Sequence, residues 1–152
     1  MMAQAPAQDP TFTRILVPTD FSPCSQAAVR YAVMMAKRFG APISALHVIE
    51  TMSYAMTESL QWVDLYAHVR TMVEPMMDGL VRELREKNLT AVGLVIQGVA
   101  SDEIIKKAKE GSADLIVMGT HGRRGMRHLL MGSVAERVVR ASPCPVLTVR
   151  GE

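Results

Sequence analysis

The feature that most constrains this chain is a series of short apolar runs that do not alternate with polar residues. Arg14-Ile-Leu-Val-Pro18 is one and the run 113–118 is another. Apolar stretches of this length without a period of two read as strands buried on both faces. Further strands read at 43–49, 91–97 and 146–149, and helical spacing falls between each pair. Strands that alternate with helices form a parallel sheet covered on two sides, so the fold class is a single-domain, open, five-stranded α/β sheet. A chain of 152 residues, 49% apolar and 21% charged, can enclose one such core.

The helices carry their own punctuation. Ser22 and Pro23 make a cap and a first turn, and Ala28, Tyr31, Ala32, Met35, Ala36 and Phe39 follow at helical spacing. Gly40 and Pro42 end that helix. A long helix is expected over 58–87, with Pro75 kinking or interrupting it. Ser101-Asp-Glu opens a shorter one that Gly111 closes, with acids at its positive end. The last runs from Ser133 to Ala141, with Val134, Val138 and Ala141 on one face, and Pro143 stops it.

Several functional classes find no support. The net charge of +2 announces neither nucleic acid nor a membrane surface. No run approaches the roughly 20 apolar residues of a membrane helix. Cys24 and Cys144 lie too far apart to suggest a disulfide scaffold or metal-ligand spacing, and the four histidines lack the spacing of a structural zinc site. His47 reads as a satisfied residue near a strand end, and Cys24, at a helix start, leaves a redox role open. Met52, Met56, Met72, Met76 and Met77 read as core filling, with a soft exposed patch for partners as the alternative. Residues 1–13 read as a loose tail without the features of a leader, residues 14–151 as the domain, and the cytoplasm as the compartment.

The chemistry concentrates in Gly119-x2-Gly122-x9-Gly132-Ser133, placed after a strand and before a helix. Glycines let backbone approach an anion, and they permit left-handed angles that turn successive N–H groups inward. The N-terminus of the last helix adds free N–H groups and a favourable dipole, and Ser133 adds a hydroxyl. The plain alternative is that these glycines only make turns. The pattern is neither a P-loop, which needs Lys-Ser/Thr after the glycines, nor the dinucleotide fingerprint GxGxxG.

Val17-Pro-Thr-Asp-Phe-Ser22 lies at the carboxyl end of the first strand. Ligands of open α/β sheets bind beyond those ends, where strand order reverses. If strands run outward as one, two and three and the fourth returns beside the first, Asp20 faces the glycine loop. A carboxylate there can accept hydrogen bonds from ribose hydroxyls or hold Mg2+ through water; the plain alternative is a turn or cap acid ahead of Ser22.

Four segments, Ile15-Leu-Val-Pro-Thr-Asp-Phe-Ser22, Leu46-His-Val-Ile49, Asp114-Leu-Ile-Val-Met-Gly-Thr-His-Gly122 and Gly132-Ser-Val-Ala-Glu-Arg137, resemble the universal stress protein family. The similarity spans 14–150 and includes the glycine pattern of that family's ATP-binding branch. The resemblance implies strand order 3-2-1-4-5, ATP with Mg2+ as the ligand, and a homodimer through the edge strand 146–149. It implies that Asp20 meets the ribose beside Pro18 and Thr19, and that Val48 and Met118 flank adenine. Gly119, Gly122, Gly132, Ser133 and Val134 would surround the phosphates, joined by His121 and Arg123 of the same loop, with Gly98 and Val99 as a neighbouring wall. The arginines from Arg123 onward suit a triphosphate or a solvated surface equally.

The function expected is a nucleotide-dependent regulatory or stress-response module with a protein client. No nucleophile–base pair and no metal site stand out, so no catalytic residue is assigned. A slow ATPase or phosphoryl-transfer enzyme and a nucleotide-free structural dimer are the alternatives. Pro18-Thr-Asp-Phe-Ser-Pro23 departs from the Ser-Gly-Gly-x-Asp-Ser loop of related nucleotide hydrolases, which counts against the enzyme.

Overall fold

Residues 11–50, 60–122 and 131–151 are described by the computed structural model. The apolar run Ile15–Pro18 forms β1, buried along its whole length. The elements that follow are α1 (Pro23–Phe39), β2 (Ile43–Glu50), α2 (Leu60–Glu86), β3 (Ala91–Gly98), α3 (Ala100–Glu110), β4 (Leu115–Gly119), α4 (Ser133–Ala141) and β5 (Val146–Val149).

All strand pairs are parallel, and the order is β3-β2-β1-β4-β5. Ile15 of β1 stands between Ile43 of β2 and Leu115 of β4. The chain therefore grows outward through β2 and β3, then crosses back to place β4 against the free side of β1. That reversal opens the crevice between the carboxyl ends of β1 and β4.

The sheet separates two apolar layers. Ile15, Val17, Ala45 and Val117 pack with residues of α1 and α2 on one face. Leu16, Leu46, Ile116 and Met118 pack with α3 and α4 on the other. Strands covered on both faces have no polar side to show, which is why their sequences lack alternation.

In α1 the Ser22 hydroxyl accepts from the Ser25 N–H, and Gly40 closes the helix at φ 67°. Ala28, Ala32 and Ala36 are fully buried and let the helix lie close to the sheet. Tyr31, expected on that face, points outward instead and is 48% exposed. It lies at the margin of the stripe that Ala28, Ala32 and Ala36 bury, so its ring reaches solvent.

Pro75, expected to kink or interrupt α2, lies inside it without ending it. Position 75 and Thr71, whose carbonyl loses its helical donor, are both exposed, so water can satisfy that carbonyl. Helix α3 begins at Ala100, ahead of the expected Ser101, and its cap residue Val99 makes no side-chain bond. Of the methionines, Met77 is buried, while Met72 and Met76 stand on the outer side of α2 and are 61% and 44% exposed. Met52 and Met56 lie outside the described residues.

The expected tail also ends earlier than Thr13. Phe12 packs edge-on against Phe39, with ring centroids 5.2 Å apart. The Thr13 N–H and hydroxyl donate to Asp114 Oδ2 at 2.8 and 2.6 Å, and the Arg14 N–H donates to Oδ1 at 3.0 Å. Asp114, at the foot of β4, thus ties the entry to β1 across the sheet.

Candidate nucleotide site

The site grows from two strand ends. Beyond Pro18 the chain turns sharply, and the Thr19 N–H donates to the Leu46 carbonyl at 2.8 Å. Thr19 is buried, its hydroxyl accepting from the Phe21 N–H at 3.0 Å and lying 3.1 Å from the Ser25 hydroxyl. Its hydroxyl serves the turn. Asp20 Oδ1 accepts from the Ser22 N–H at 3.0 Å, which orients the carboxylate.

Phe21 occupies the left-handed region at φ 61°. A bulky residue there costs about 1–3 kcal/mol and persists only where its surroundings hold it. Its ring stacks on the buried imidazole of His47, with centroids 5.1 Å apart and planes 30° off parallel. His47 Nδ1 donates to the Thr19 carbonyl at 2.8 Å, which assigns that nitrogen its proton.

On the other side, β4 ends at Gly119. The buried Thr120 donates its N–H to the Val149 carbonyl at 2.8 Å, and its own carbonyl accepts from the Gly132 N–H at 2.7 Å. That bond pins the start of α4 beside the end of β4. Gly132 caps α4 with φ −76° and no side-chain bond, leaving Ser133 exposed in the first turn. The N–H groups of Ser133, Val134 and Ala135 precede the helix's own acceptors, a positive terminus suited to an anion.

The two strand ends meet at Gly122. A Cβ on this glycine would stand 2.8 Å from Asp20 Oδ2. Asp20 therefore faces the glycine segment, as the order of strands requires. The glycines act through close approach and not through left-handed angles, contrary to expectation. Neither Gly119, Gly122 nor Gly132 has a positive φ, whereas Phe21 does. Gly119 is needed for packing: a Cβ there would lie 2.9 Å from Cys24 Sγ and 3.2 Å from the Cys24 backbone. At Gly132 a Cβ would come within 3.2 Å of the Thr120 carbonyl oxygen.

Met118 is buried and Val48 half-buried on the α3–α4 side of the sheet, in one cluster with Ile96, Met131 and Val134. Pro18 is buried as the last residue of β1. His121 is half-buried, with Nδ1 hydrogen-bonded to the Thr120 hydroxyl at 3.0 Å. Gly98 ends β3, with β2 between it and β1, and a Cβ there would meet the Glu103 side chain at 2.6 Å. Arg123 lies outside the described residues. A groove of about 480 Å³ between α3 and α4 has Ser133, Asp102 and Arg137 on its walls.

Sequence reasoning missed three contributors. Phe21 was read only as part of a motif, and nothing local marks a phenylalanine for a left-handed turn. Thr120 carries the hydrogen bonds that join β4, β5 and α4, and only tertiary pairing reveals them. Cys24 is bonded through Sγ to the Val149 carbonyl at 3.4 Å, so it packs α1 against the ends of β4 and β5. Among the described residues, no cluster of His, Cys, Asp and Glu could hold a metal ion, and no helix is long and apolar enough to cross a membrane.

The chain matches the Universal stress protein family over residues 11–150. It belongs to that family. The match starts at Thr11, in line with the packing of Phe12 and Thr13 onto the domain. Universal stress protein MJ0531 of Methanocaldococcus jannaschii is 31% identical over 140 residues, covering 91% of this chain and 82% of that protein. The solved structure of MJ0577, from the same organism, superposes with a TM-score of 0.84 at 27% identity over 93% of this chain and 98% of that one. The same fold recurs in the universal stress protein of Archaeoglobus fulgidus in complex with dAMP, at 21% identity and TM-score 0.65 over 90% of this chain and 97% of that one. It recurs again in a universal stress protein in complex with cAMP, at 22% identity and TM-score 0.65 over 94% and 100%.

Proposed function

We propose that this universal stress protein binds ATP, accompanied by Mg2+, across the carboxyl ends of β1 and β4, and that occupancy sets the state a protein client reads. The observation that carries the proposal is the approach of the Asp20 carboxylate to the bare α-carbon of Gly122, beside a helix N-terminus with an exposed serine. Phosphate oxygens suit the amides of Ser133 and Val134, with Gly119, His121, Gly122 and Gly132 forming the surrounding backbone. Asp20 has the chemistry to accept from ribose hydroxyls or to hold Mg2+ through water. Val48 and Met118 supply apolar surface for a base. These residues fit an adenine nucleotide on their own chemistry; the dAMP and cAMP complexes describe other proteins that share the fold.

A homodimer through β5 completes the proposal, because an apolar edge strand calls for cover, and the cytoplasm is its compartment. Mass spectrometry of nucleotide released from freshly purified protein tests the ligand, and sedimentation tests the dimer. Recovered ATP with micromolar rebinding in calorimetry is the expected outcome. Protein that carries no adenine nucleotide and takes up none on titration would refute the reading.

A further inference from the structure

The turn that presents Asp20 is held from outside itself. Phe21 adopts a conformation that an aromatic residue rarely takes, directly after the carboxylate and directly before the Ser22 cap of α1. Contacts from β2 hold the turn: the His47 imidazole stacks on the Phe21 ring and its Nδ1 donates to the Thr19 carbonyl, while the Leu46 carbonyl accepts from the Thr19 N–H. His47 thus grips the turn on either side of Asp20. Within the turn, the Phe21 N–H reaches back to the Thr19 hydroxyl, and the Ser22 N–H fixes Asp20 Oδ1. With Oδ1 so engaged, Oδ2 is the oxygen turned toward Gly122. Strain kept at a ligand-facing turn and balanced by contacts from a neighbouring strand is the signature of preorganisation.

We propose that Phe21 and His47 are positioning residues that lock the Asp20 carboxylate in one orientation, so that recognition of the sugar depends on the stacking of these two rings. The proposal rests on the nucleotide reading above. It separates two sources of affinity: the helix N-terminus and glycine segment, which would hold phosphate, and the Phe21–His47 clamp, which governs the contribution of Asp20.

Calorimetry with ATP and with 2′,3′-dideoxy-ATP distinguishes them. Wild-type protein is expected to prefer ATP by about tenfold, the worth of hydrogen bonds to a charged acceptor. Phe21→Ala and His47→Ala should each cut that preference to about twofold or less while leaving dideoxy-ATP affinity near the wild-type value. Phe21→Tyr, which keeps the ring, should retain the preference. Phe21→Ala added to Asp20→Ala should cost nothing further. Melting curves identify variants that fail to fold, and Phe21→Leu then replaces Phe21→Ala, keeping apolar bulk without the aromatic stack. Full preference for ATP in folded Phe21 and His47 variants would overturn the proposal, as would parallel loss of both ligands, the mark of a merely structural role. A wild-type protein that binds both ligands equally, unaffected by Asp20→Ala, would defeat the assignment of Asp20 itself and the clamp with it.

Discussion

Asp20 Oδ2 lies 2.8 Å from the point at which a side chain on Gly122 would begin, although the two residues are separated by most of the chain. β1 and β4 are neighbours in the sheet, and each turns at its carboxyl end toward the other. A carboxylate and a glycine backbone share one crevice for that reason alone.

Gly122→Ala is accordingly expected to act on the ligand more than on the fold. Its methyl group would push the Asp20 carboxylate out of its place, while no backbone atom stands in its way. ATP affinity should fall by about tenfold or more, roughly 1.4 kcal/mol, while the melting temperature moves by about 2 °C or less. Paired calorimetry and thermal melts read both quantities; equal affinity for the variant would contradict the crevice assignment.

Gly119→Ala should behave in the opposite way. The new methyl would press on Cys24 Sγ and, at 3.2 Å, on the Cys24 backbone, which cannot swing aside. Overpacking of this kind costs about 1–3 kcal/mol, or roughly 2–4 °C of melting temperature per kcal/mol in a chain of this size. Cys24→Ala should relieve only part of that loss, because the backbone contact remains. Denaturant unfolding of the two single variants and the double variant measures it.

Asp114 gives stability a pH dependence. Partial burial pushes its carboxyl upward, but the hydrogen bonds from Thr13 and Arg14 outweigh burial and hold it below its ordinary range. A group depressed in the folded state contributes fully above its unfolded value near 4, and the contribution is lost as pH falls through the lower folded value. Asp114→Asn should cost about 1–2 kcal/mol at neutral pH through mispaired donors and little at the acid end of that window. Urea midpoints of wild type and variant should converge as the pH is lowered; a constant gap would exclude this role.

Ser112 follows α3 with φ 47°, a left-handed angle at a helix end where glycine is the usual occupant. Ser112→Gly would relieve about 1–2 kcal/mol of backbone strain but loosen the unfolded chain by about 0.4–1 kcal/mol. The difference favours the variant by roughly 0–1.6 kcal/mol, with a midpoint of about 0.8 kcal/mol. A denaturant midpoint at or below that of wild type would rule this out.

The fold was legible because its signals are local and repeated. Arg14 to Pro18 had no polar face, Ser22-Pro23 marked a helix start, and Gly40 marked its end. Alternation of strand and helix then left few topologies, and the pairing of Asp20 with the glycine segment followed from strand order. Pro75 left a kink and a break both open, because the cost of a proline depends on whether water reaches the freed carbonyl, which the sequence does not state. Tyr31 misled because spacing assigns a face without saying how wide a stripe of that face is buried.

What the amino-acid order determined by itself was the elements, the direction in which they alternate, and the chemical character of the Gly119–Ser133 segment. Tertiary structure alone decided what a side chain at three of its glycines would strike: Cys24 at Gly119, Asp20 at Gly122 and the Thr120 carbonyl at Gly132. It also decided that Phe21, in the turn that carries Asp20, takes a left-handed angle and is held by His47 from another strand. Propensity and periodicity act over a few residues, whereas close approach and stacking join segments far apart in the chain, so their reasons appear only once the sheet has brought those segments together.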